Sequence, residues 1–291
     1  MIRPDIRHLI CFLTAAEELN FARAARRLHI VPQALSSTIA QLEEILNARL
    51  FDRTTRRVEL TAAGVAYLPY ARAAVSALDD GSDAARGLHG RLRIGLASTG
   101  VLPLTARLLR EYSSHYPKIA LDVRHFGFTD PSAGLRVGSS DVALVRPPFS
   151  NEGLELRQLT EEARYVVLAD NHRLAGCGQV AFNELAVEPW ATMTNDPIWH
   201  QFWTVAAQRT QPIPGGTLCL SQEELFESAR AGRAIGLVPE SVASAHAWPG
   251  IVFVRVFDVP PSTVAIALPE TGRTRQALDF MELATEMADT L

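Results

Sequence analysis

Seven arginines stand between Phe21 and Arg57 (Arg23, Arg26, Arg27, Arg49, Arg53, Arg56 and Arg57), opposed in that stretch only by Glu43, Glu44 and Asp52. A local positive excess of this kind suits phosphate neutralisation, even though the 291-residue chain carries a formal net charge of −4. Of the 28 basic residues, Lys118 is the single lysine, so phosphate contacts would fall to planar guanidinium forks. Gln33, Ser36, Ser37 and Gln41 lie among these arginines and carry hydrogen-bonding groups without charge. A glutamine so placed can pair in bidentate fashion with adenine in a major groove.

A second set of polar residues lies farther along. Ser98, Thr99 and Thr129 follow apolar runs, where a hydroxyl meets the unpaired N–H groups of a helix start; capping is one role for them and ligand binding another. Arg146 follows Asp141-Val142-Ala143-Leu144-Val145 and precedes Pro147-Pro148. It can fork onto a ligand carboxylate, a charge-assisted bond worth about 1.5–3 kcal/mol; a surface or inter-lobe ion pair is the alternative. Phe128, Trp199 and Trp203 can form an apolar wall, with core packing expected for at least one tryptophan.

Enzyme chemistry finds no such constellation. Gly95-Leu96-Ala97-Ser98-Thr99-Gly100 imitates a nucleophile elbow but has one residue too many before the serine. The eight histidines form no zinc motif, and neither a phosphate loop nor a dinucleotide fingerprint occurs; no catalytic residue, metal or cofactor is expected. Cys11, Cys177 and Cys219 are far apart without metal-ligand spacing, so a disulfide framework is not expected, and a redox pair of Cys177 with Cys219 is the less economical reading. No apolar run approaches the roughly 18 residues that span a bilayer, and the start Met1-Ile2-Arg3-Pro4 lacks a signal-peptide pattern. A cytoplasmic chain of two or more units follows as the expectation.

The elements that would position these residues begin with three helices. The first runs from about Arg3 to Glu18, and a short second one from Phe21 turns Ala24, Ala25 and Leu28 inward. After the turn His29-Ile30-Val31, Pro32 opens a third helix that buries Leu35, Ile39, Leu42 and Leu46. Its other face then carries Gln33, Ser36, Ser37 and Gln41, for which a plain solvated surface is the bland reading. Leu50-Phe51-Asp52-Arg53 and Arg57-Val58-Glu59-Leu60 flank Thr54-Thr55-Arg56 as a hairpin wing able to straddle a phosphate backbone or enter a minor groove. A long helix follows from Thr61 to about Asp80. Val65, Leu68, Arg72 and Val75 form either a helix-pairing seam or a face laid on its own domain. Asp80-Gly81-Ser82-Asp83 and Gly87-Leu88-His89-Gly90 are expected to break it.

Beyond Gly90 the pattern alternates strand and helix, predicting a mainly parallel sheet. Strands are expected at 91–97, 119–125, 141–145, 165–168, 190–193, 218–220, 235–238 and 263–268. Helices are expected near 102–115, 131–136, 183 and 197, with another opened by Ser221-Gln222-Glu223-Glu224 and closed by Gly232.

The stretch from Leu9 to Gly64 resembles the DNA-binding domain of LysR-type transcriptional regulators. The resemblance rests on Phe12-x4-Glu17, Asn20-Phe21-x2-Ala24-Ala25-x2-Leu28, Ala34-Leu35-Ser36-x2-Ile39-x2-Leu42-Glu43, Leu50-Phe51-x-Arg53-Thr54 and Leu60-Thr61-x2-Gly64. Gly90-Arg91-Leu92-x-Ile94-Gly95, Asp141 to Val145 and Ala231-Gly232-x2-Ile235-Gly236-x-Val238-Pro239 resemble the family's periplasmic-binding-protein-like effector domain. The fold this implies is mixed: an all-α winged helix-turn-helix over 1–61, a linker helix and hinge over 62–90, and a two-lobed α/β effector domain over 91–291. Lobe I would take 91–162 and 267–291, and lobe II 163–266. The implied DNA contacts are Arg23, Pro32, Gln33, Ser36, Ser37, Gln41, Arg53, Thr54, Arg56 and Arg57. The implied effector residues are Ser98, Thr99, Phe128, Thr129, Arg146 and Thr194. The partners would be double-stranded DNA with an interrupted palindrome, a small organic anion as effector, a second or further copies of the chain as homodimer or tetramer, and RNA polymerase.

Two departures limit the transfer. Val31-Pro32-Gln33 stands where the family usually has serine and glutamine, so the third helix lacks a side-chain cap. Ser37 stands where arginine or lysine is common, so one phosphate contact is lost. Two non-enzymatic alternatives remain: a solute-binding protein, against which the helix-turn-helix and the missing leader count, and a ligand-independent DNA binder, for which a 200-residue two-lobed module is uneconomical.

Overall fold

The computed structural model describes residues 3–53, 58–85, 90–97, 103–192, 196–209, 212–213, 216–245 and 248–289. Two compact units divide the chain, Met1–Arg91 and Leu92–Leu291.

In the first unit, α1 (Ile6–Glu18), α2 (Phe21–Arg27) and α3 (Pro32–Leu46) precede a hairpin of β1 (Phe51–Arg53) and β2 (Val58–Leu60), and α4 (Ala62–Ala85) follows. Asp5 and Asn20 start α1 and α2 by accepting from the backbone N–H groups of His8 and Arg23 at 2.9 and 3.0 Å. Val31 supplies no side-chain cap to α3, as expected, and Pro32 removes one orphan N–H at its first turn. Ala24 and Ala25 are fully buried and, having nothing beyond Cβ, let α2 lie close to α1 and α3. Phe12, Leu35, Ile39 and Leu42 complete this core, against which Phe51 stacks at 5.6 Å from Phe12 and edge-on at 5.5 Å from Phe21.

The long helix departs from expectation in where it ends. It continues through Asp80-Gly81-Ser82-Asp83 to Ala85. A lone glycine costs a helix only about 1 kcal/mol relative to alanine, and the Ser82 hydroxyl returns a 2.9 Å bond to the Leu78 carbonyl, one turn back within the helix. Of the two readings of Val65, Leu68, Arg72 and Val75, the face laid on its own domain is the one found: Leu68 belongs to the core of its own unit, Val75 packs on that core and Arg72 is buried, while Val65 is exposed. Among the exposed apolar residues of α4, Ala66, Tyr70, Ala74 and Leu78 are spaced four apart, with Val65 beside them.

The second unit contains β3 (Arg91–Ala97), α5 (Pro103–His115), β4 (Ala120–Phe126), β5 (Val142–Val145), β6 (Leu154–Glu162), β7 (Arg164–Ala169), β8 (Gln179–Val180), α6 (Phe182–Leu185), α7 (Pro197–Trp203), α8 (Gln222–Arg230), β9 (Gly236–Pro239), α9 (Glu240–Ala245), β10 (Ile251–Val256), β11 (Ser262–Pro269) and α10 (Arg275–Ala288). A five-stranded sheet, β4-β3-β5-β11-β6, forms one lobe and a four-stranded sheet, β8-β10-β7-β9, the other. The chain crosses from the first to the second through Ala163 and returns between Val256 and Ser262.

These sheets are mixed rather than mainly parallel. β11 runs antiparallel to β5 and β6, and β7 antiparallel to β10 and β9, while β3 with β5 and β10 with β8 are parallel. The crossing strands cause this: β6 and β7 carry the chain out to the second lobe and β10 and β11 bring it back, so each outgoing strand pairs antiparallel with a returning one. β11 pairs from Ser262, opposite Glu162, so the first lobe's sheet regains the chain before position 267. No helix forms at 131–136. Asp130 instead accepts from the N–H groups of Ser132 and Gly134 at 3.1 and 2.8 Å, and Ala133 and Gly134 turn left-handed. The strands expected at 190–193 and 218–220 reduce to single bridges, Trp190 to Ile235 and Thr192 to Leu218.

Candidate functional site

The faces of α3 divide largely as the spacing predicts, except that Leu46, at the helix end, is only partly buried. Leu35, Ile39 and Leu42 have no exposed surface, whereas Pro32, Gln33, Ser37 and Gln41 are exposed and Ser36 is half-buried. Thr38, which lies between the faces, is buried with its hydroxyl donated to the Ala34 carbonyl at 2.9 Å. The outer face therefore carries amide and hydroxyl groups and hardly any charge.

The wing is fastened to this helix by one carboxylate. Glu43 Oε1 accepts from the backbone N–H groups of Leu50 and Phe51 at 2.8 and 3.1 Å, which fixes where the chain leaves α3 and enters β1. Thr61 secures the far end. Its hydroxyl donates to the Arg49 carbonyl at 2.6 Å and accepts from Gly64 N–H at 3.0 Å. Gly64 lies so close to the hairpin that a Cβ there would sit 2.2 Å from the Leu50 carbonyl oxygen. Glu43, Thr61 and Gly64 were conspicuous in the sequence as motif members; their purpose is to hold the wing against α3 and α4. Among the expected wing contacts, Thr54, Arg56 and Arg57 lie outside the described residues, and Arg53 is the last residue of β1.

Not all the arginines are equally available. Arg23 donates to the Glu18 carbonyl at 2.7 Å and pairs with its carboxylate at 3.3 Å. Arg27 pairs with Glu17 at 2.8 Å and Glu18 at 3.2 Å. Those two acids lie just before Phe21, outside the stretch whose charges show the excess. Arg26 and Arg49 are exposed with no acidic partner among the described residues, and no signal in the sequence separates them from Arg23.

In the second unit, Ser98, Thr99 and Thr194 lie outside the described residues. Thr129 is exposed in a turn and opens no helix; the adjacent Asp130 organises that turn. Phe128 is buried and donates its N–H to the Leu220 carbonyl at 3.0 Å, tying the loop after β4 to the other lobe. A Cβ at Gly127 would approach the same carbonyl to 2.7 Å, so the glycine allows this contact.

Arg146 takes the ion-pair alternative. It is 4% exposed, pairs with Glu162 at 2.9 Å, and donates to the hydroxyls of Ser241 at 3.0 Å and Ser262 at 3.3 Å. Ser241 in turn donates to Glu162 at 2.9 Å. Burial pushes the Arg146 guanidinium below its ordinary pKa, and the Glu162 carboxylate acts against that shift. The network joins β5, β6 and β11 of the first lobe to α9 of the second.

A small depression with a volume of only about 10 Å³ is lined by Phe128, Trp199, Trp203, Gln222, Leu237, Val238 and Pro239. Asp196 aligns its aromatic helix α7 by accepting from Trp199 N–H at 3.0 Å, while its second carboxylate oxygen accepts from Ser150 N–H across the lobes at 3.3 Å. The i, i+4 spacing puts Trp199 and Trp203 on one face of α7, 5.6 Å apart, and Phe128 stands 5.6 Å from Trp199. All three rings belong to the buried core, so core packing holds for both tryptophans, and they also border this depression.

Residues 6–65 match the bacterial regulatory helix-turn-helix protein, lysR family, and residues 85–289 match the LysR substrate binding domain. The HTH-type transcriptional regulator AlsR of Bacillus subtilis is 31% identical over 196 residues, which are 66% of this chain and 65% of AlsR. The HTH-type transcriptional regulator IlvR of Caulobacter vibrioides is 30% identical over 266 residues, 88% of this chain and 89% of IlvR. Full-length CbnR, in a crystal structure with its target DNA, shares the fold at a TM-score of 0.64 and 23% identity, covering 98% of this chain and 99% of CbnR. No helix among the described residues is long and apolar enough to cross a membrane. With both of its units matched, the chain belongs to the LysR family.

Proposed function

We propose that the chain is a transcriptional regulator, not an enzyme, which binds double-stranded DNA through α3 and the β1–β2 wing and answers to a small molecule held between the two lobes. The observation that carries the reading is the outer face of α3: a helix fixed by a fully buried seam presents Gln33, Ser36, Ser37 and Gln41 beside an anchored hairpin. Such a face reads base edges, while the arginines around it supply sequence-independent attraction. The exposed stripe of Ala66, Tyr70, Ala74 and Leu78 on α4 supports pairing with a second copy, hence a homodimer, or a tetramer of two dimers, on an interrupted palindrome. Transcription would then change in the cytoplasm through contact with RNA polymerase. The ligand acts only through different affinities for two arrangements of the protein.

Selection of bound sequences from a random duplex pool tests the reading. Replacing Gln33 by alanine shifts the selected sequence at one or two positions, and each lost bidentate contact costs about 1–3 kcal/mol of discrimination. Uniform weakening on every sequence would make Gln33 a backbone contact, and a pool from which no duplex is retained would remove the DNA-binding reading.

A further inference from the structure

We propose that α7 is a clamp that holds the two lobes together through contacts within the chain, so that a signal acts by favouring a released arrangement. The proposal rests on the reading above that the two-lobed unit controls DNA binding, and it names how that control is set. The clamp begins with one carboxylate. Asp196 Oδ1 accepts from Trp199 N–H at 3.0 Å and starts α7 in the second lobe, while Oδ2 accepts from Ser150 N–H in the first lobe at 3.3 Å. The other end of α7 is fixed by two guanidinium groups on its last carbonyls, where the helix dipole favours a cation. Arg164 donates to the Phe202 carbonyl at 2.9 Å and Arg209 to the Thr204 carbonyl at 2.7 Å. Arg164 follows the first crossing and also donates to the Pro260 carbonyl in the second, at 2.7 Å. The helix is thus tied to both stretches where the chain passes between the lobes.

The rings add an apolar grip. Phe128, on the loop after β4 of the first lobe, stands 5.6 Å from Trp199, and its N–H reaches the Leu220 carbonyl of the second lobe at 3.0 Å. From there the buried surface continues along the first sheet. Ala143 and Val145 of β5 and Ala265 and Ala267 of β11 belong to the same core as the second lobe. Their neighbours Val142, Leu144, Val264 and Ile266 face the first lobe's own core. Alternation along these strands therefore buries both faces of the first sheet, and one of those faces is shared by the two lobes. Parting the lobes would return that apolar surface to water. A ligand that merely bridged closed lobes would find the arrangement already populated through the chain's own contacts, and would shift little. To change the state of the protein it must bind the released arrangement better.

Hydrogen exchange of the full chain, read by mass spectrometry, tests the clamp. In the parent, peptides holding the amides of Phe128 and Ser150, both donated across the lobes, should exchange as slowly as β5 and β11. Asp196→Ser keeps an N-cap oxygen for α7, but its single oxygen cannot also hold Ser150. Exchange at Ser150 should rise about tenfold, the worth of one hydrogen bond. Because the clamp lets go as a unit, Phe128 should follow, while α5 and α10 keep their parental rates. Phe128→Leu reaches the same clamp from the first lobe and should speed exchange at Ser150; it carries the test should Asp196→Ser not fold. Fast exchange of both amides in the parent, or faster exchange confined to the substituted contact, overturns the clamp. The signalling role is read from affinity for the duplex that the parent selects. A changed affinity in Asp196→Ser supports it, and parental affinity despite a released clamp overturns control by release. A parent that retains no duplex fails the DNA-binding reading instead, because the exchange pattern is measured without DNA.

Discussion

Arginine does different work in the two units. On the helix-turn-helix, Arg23 and Arg27 rest on the carboxylates at the end of α1, and Arg26 and Arg49 point into solvent. In the two-lobed unit, Arg146 and Arg164 are almost completely buried, and each is tied to specific acceptors. Burial holds the Arg164 guanidinium down to about 10. An exposed guanidinium keeps its charge available to a phosphate, while a buried one has already committed it. Residue type and position along a strand therefore did not decide the role of Arg146; burial did.

The sharpest way to break this comparison is to remove Arg146. Arg146→Ala leaves Glu162, itself 9% exposed, as an uncompensated buried charge, and should cost about 3–5 kcal/mol of stability. Replacing both partners, Arg146→Met with Glu162→Leu, should return most of that loss, because an apolar pair of similar volume avoids desolvation. Urea unfolding of the three proteins provides the measurement. A midpoint for Arg146→Ala equal to that of the parent would return Arg146 to the list of free ligand-binding groups.

In the first unit the corresponding anchor is acidic. Glu43→Ala deprives the N–H groups of Leu50 and Phe51 of their acceptor, at a cost of about 1–3 kcal/mol, and frees the wing, so DNA affinity should fall with stability. Glu43→Gln keeps an acceptor oxygen and should retain most of both. Equal losses in the two variants, read by thermal unfolding and by anisotropy on DNA, would mean that Glu43 acts through its charge instead.

A smaller effect comes from His200 on α7. Burial and the nearby Arg209 cation hold its imidazole below the ordinary pKa, and its Nδ1 is buried without a partner. The folded protein thus takes up this proton at lower pH than the unfolded chain. Between the unfolded value of about 6.5 and the lower folded value, the unfolded state binds more protons, so stability is present above that window and is lost as pH falls through it. His200→Gln should flatten the dependence of unfolding free energy on pH below about 6.5, and an unchanged slope would remove His200 from the titrating groups.

Much of the first unit was legible because its signals are local. Pro32, the three- and four-residue apolar spacing of α3 and the small pair Ala24-Ala25 act within one or two turns, and the structure bears each of them out. The errors arose where distant pairing decides. LELRQLTEE reads as polar, yet β6 forms because β11 pairs along its whole length. The second crossing falls between Val256 and Ser262, a return to the first sheet that no local pattern marks. α10 is a different case. Ala277, Phe280, Met281, Ala284 and Met287 are buried at helical spacing, so the period is local and legible in the sequence. Beside the depression, the ring wall of Phe128, Trp199 and Trp203 was readable, but the buried Trp203 indole N–H without an acceptor was not, since a missing acceptor is a property of the folded surroundings alone.

The finest test lies between two neighbouring arginines on α2. Arg27 is paired with Glu17 and Glu18, whereas Arg26 has no acidic partner among the described residues. If exposure decides availability, Arg26→Ala should leave stability within about 0.5 kcal/mol and lower the slope of log affinity against log salt by about 1. Arg27→Ala should cost up to about 1 kcal/mol of stability, the range for exposed pairs. Its effect on the salt slope should be smaller, because a phosphate must first displace two carboxylates from the guanidinium. Salt titrations of both variants on one duplex separate the cases. Equal slopes would mean that the Glu17 and Glu18 pairs dissolve on contact with DNA, so that the arginines of α2 act as one undifferentiated positive surface.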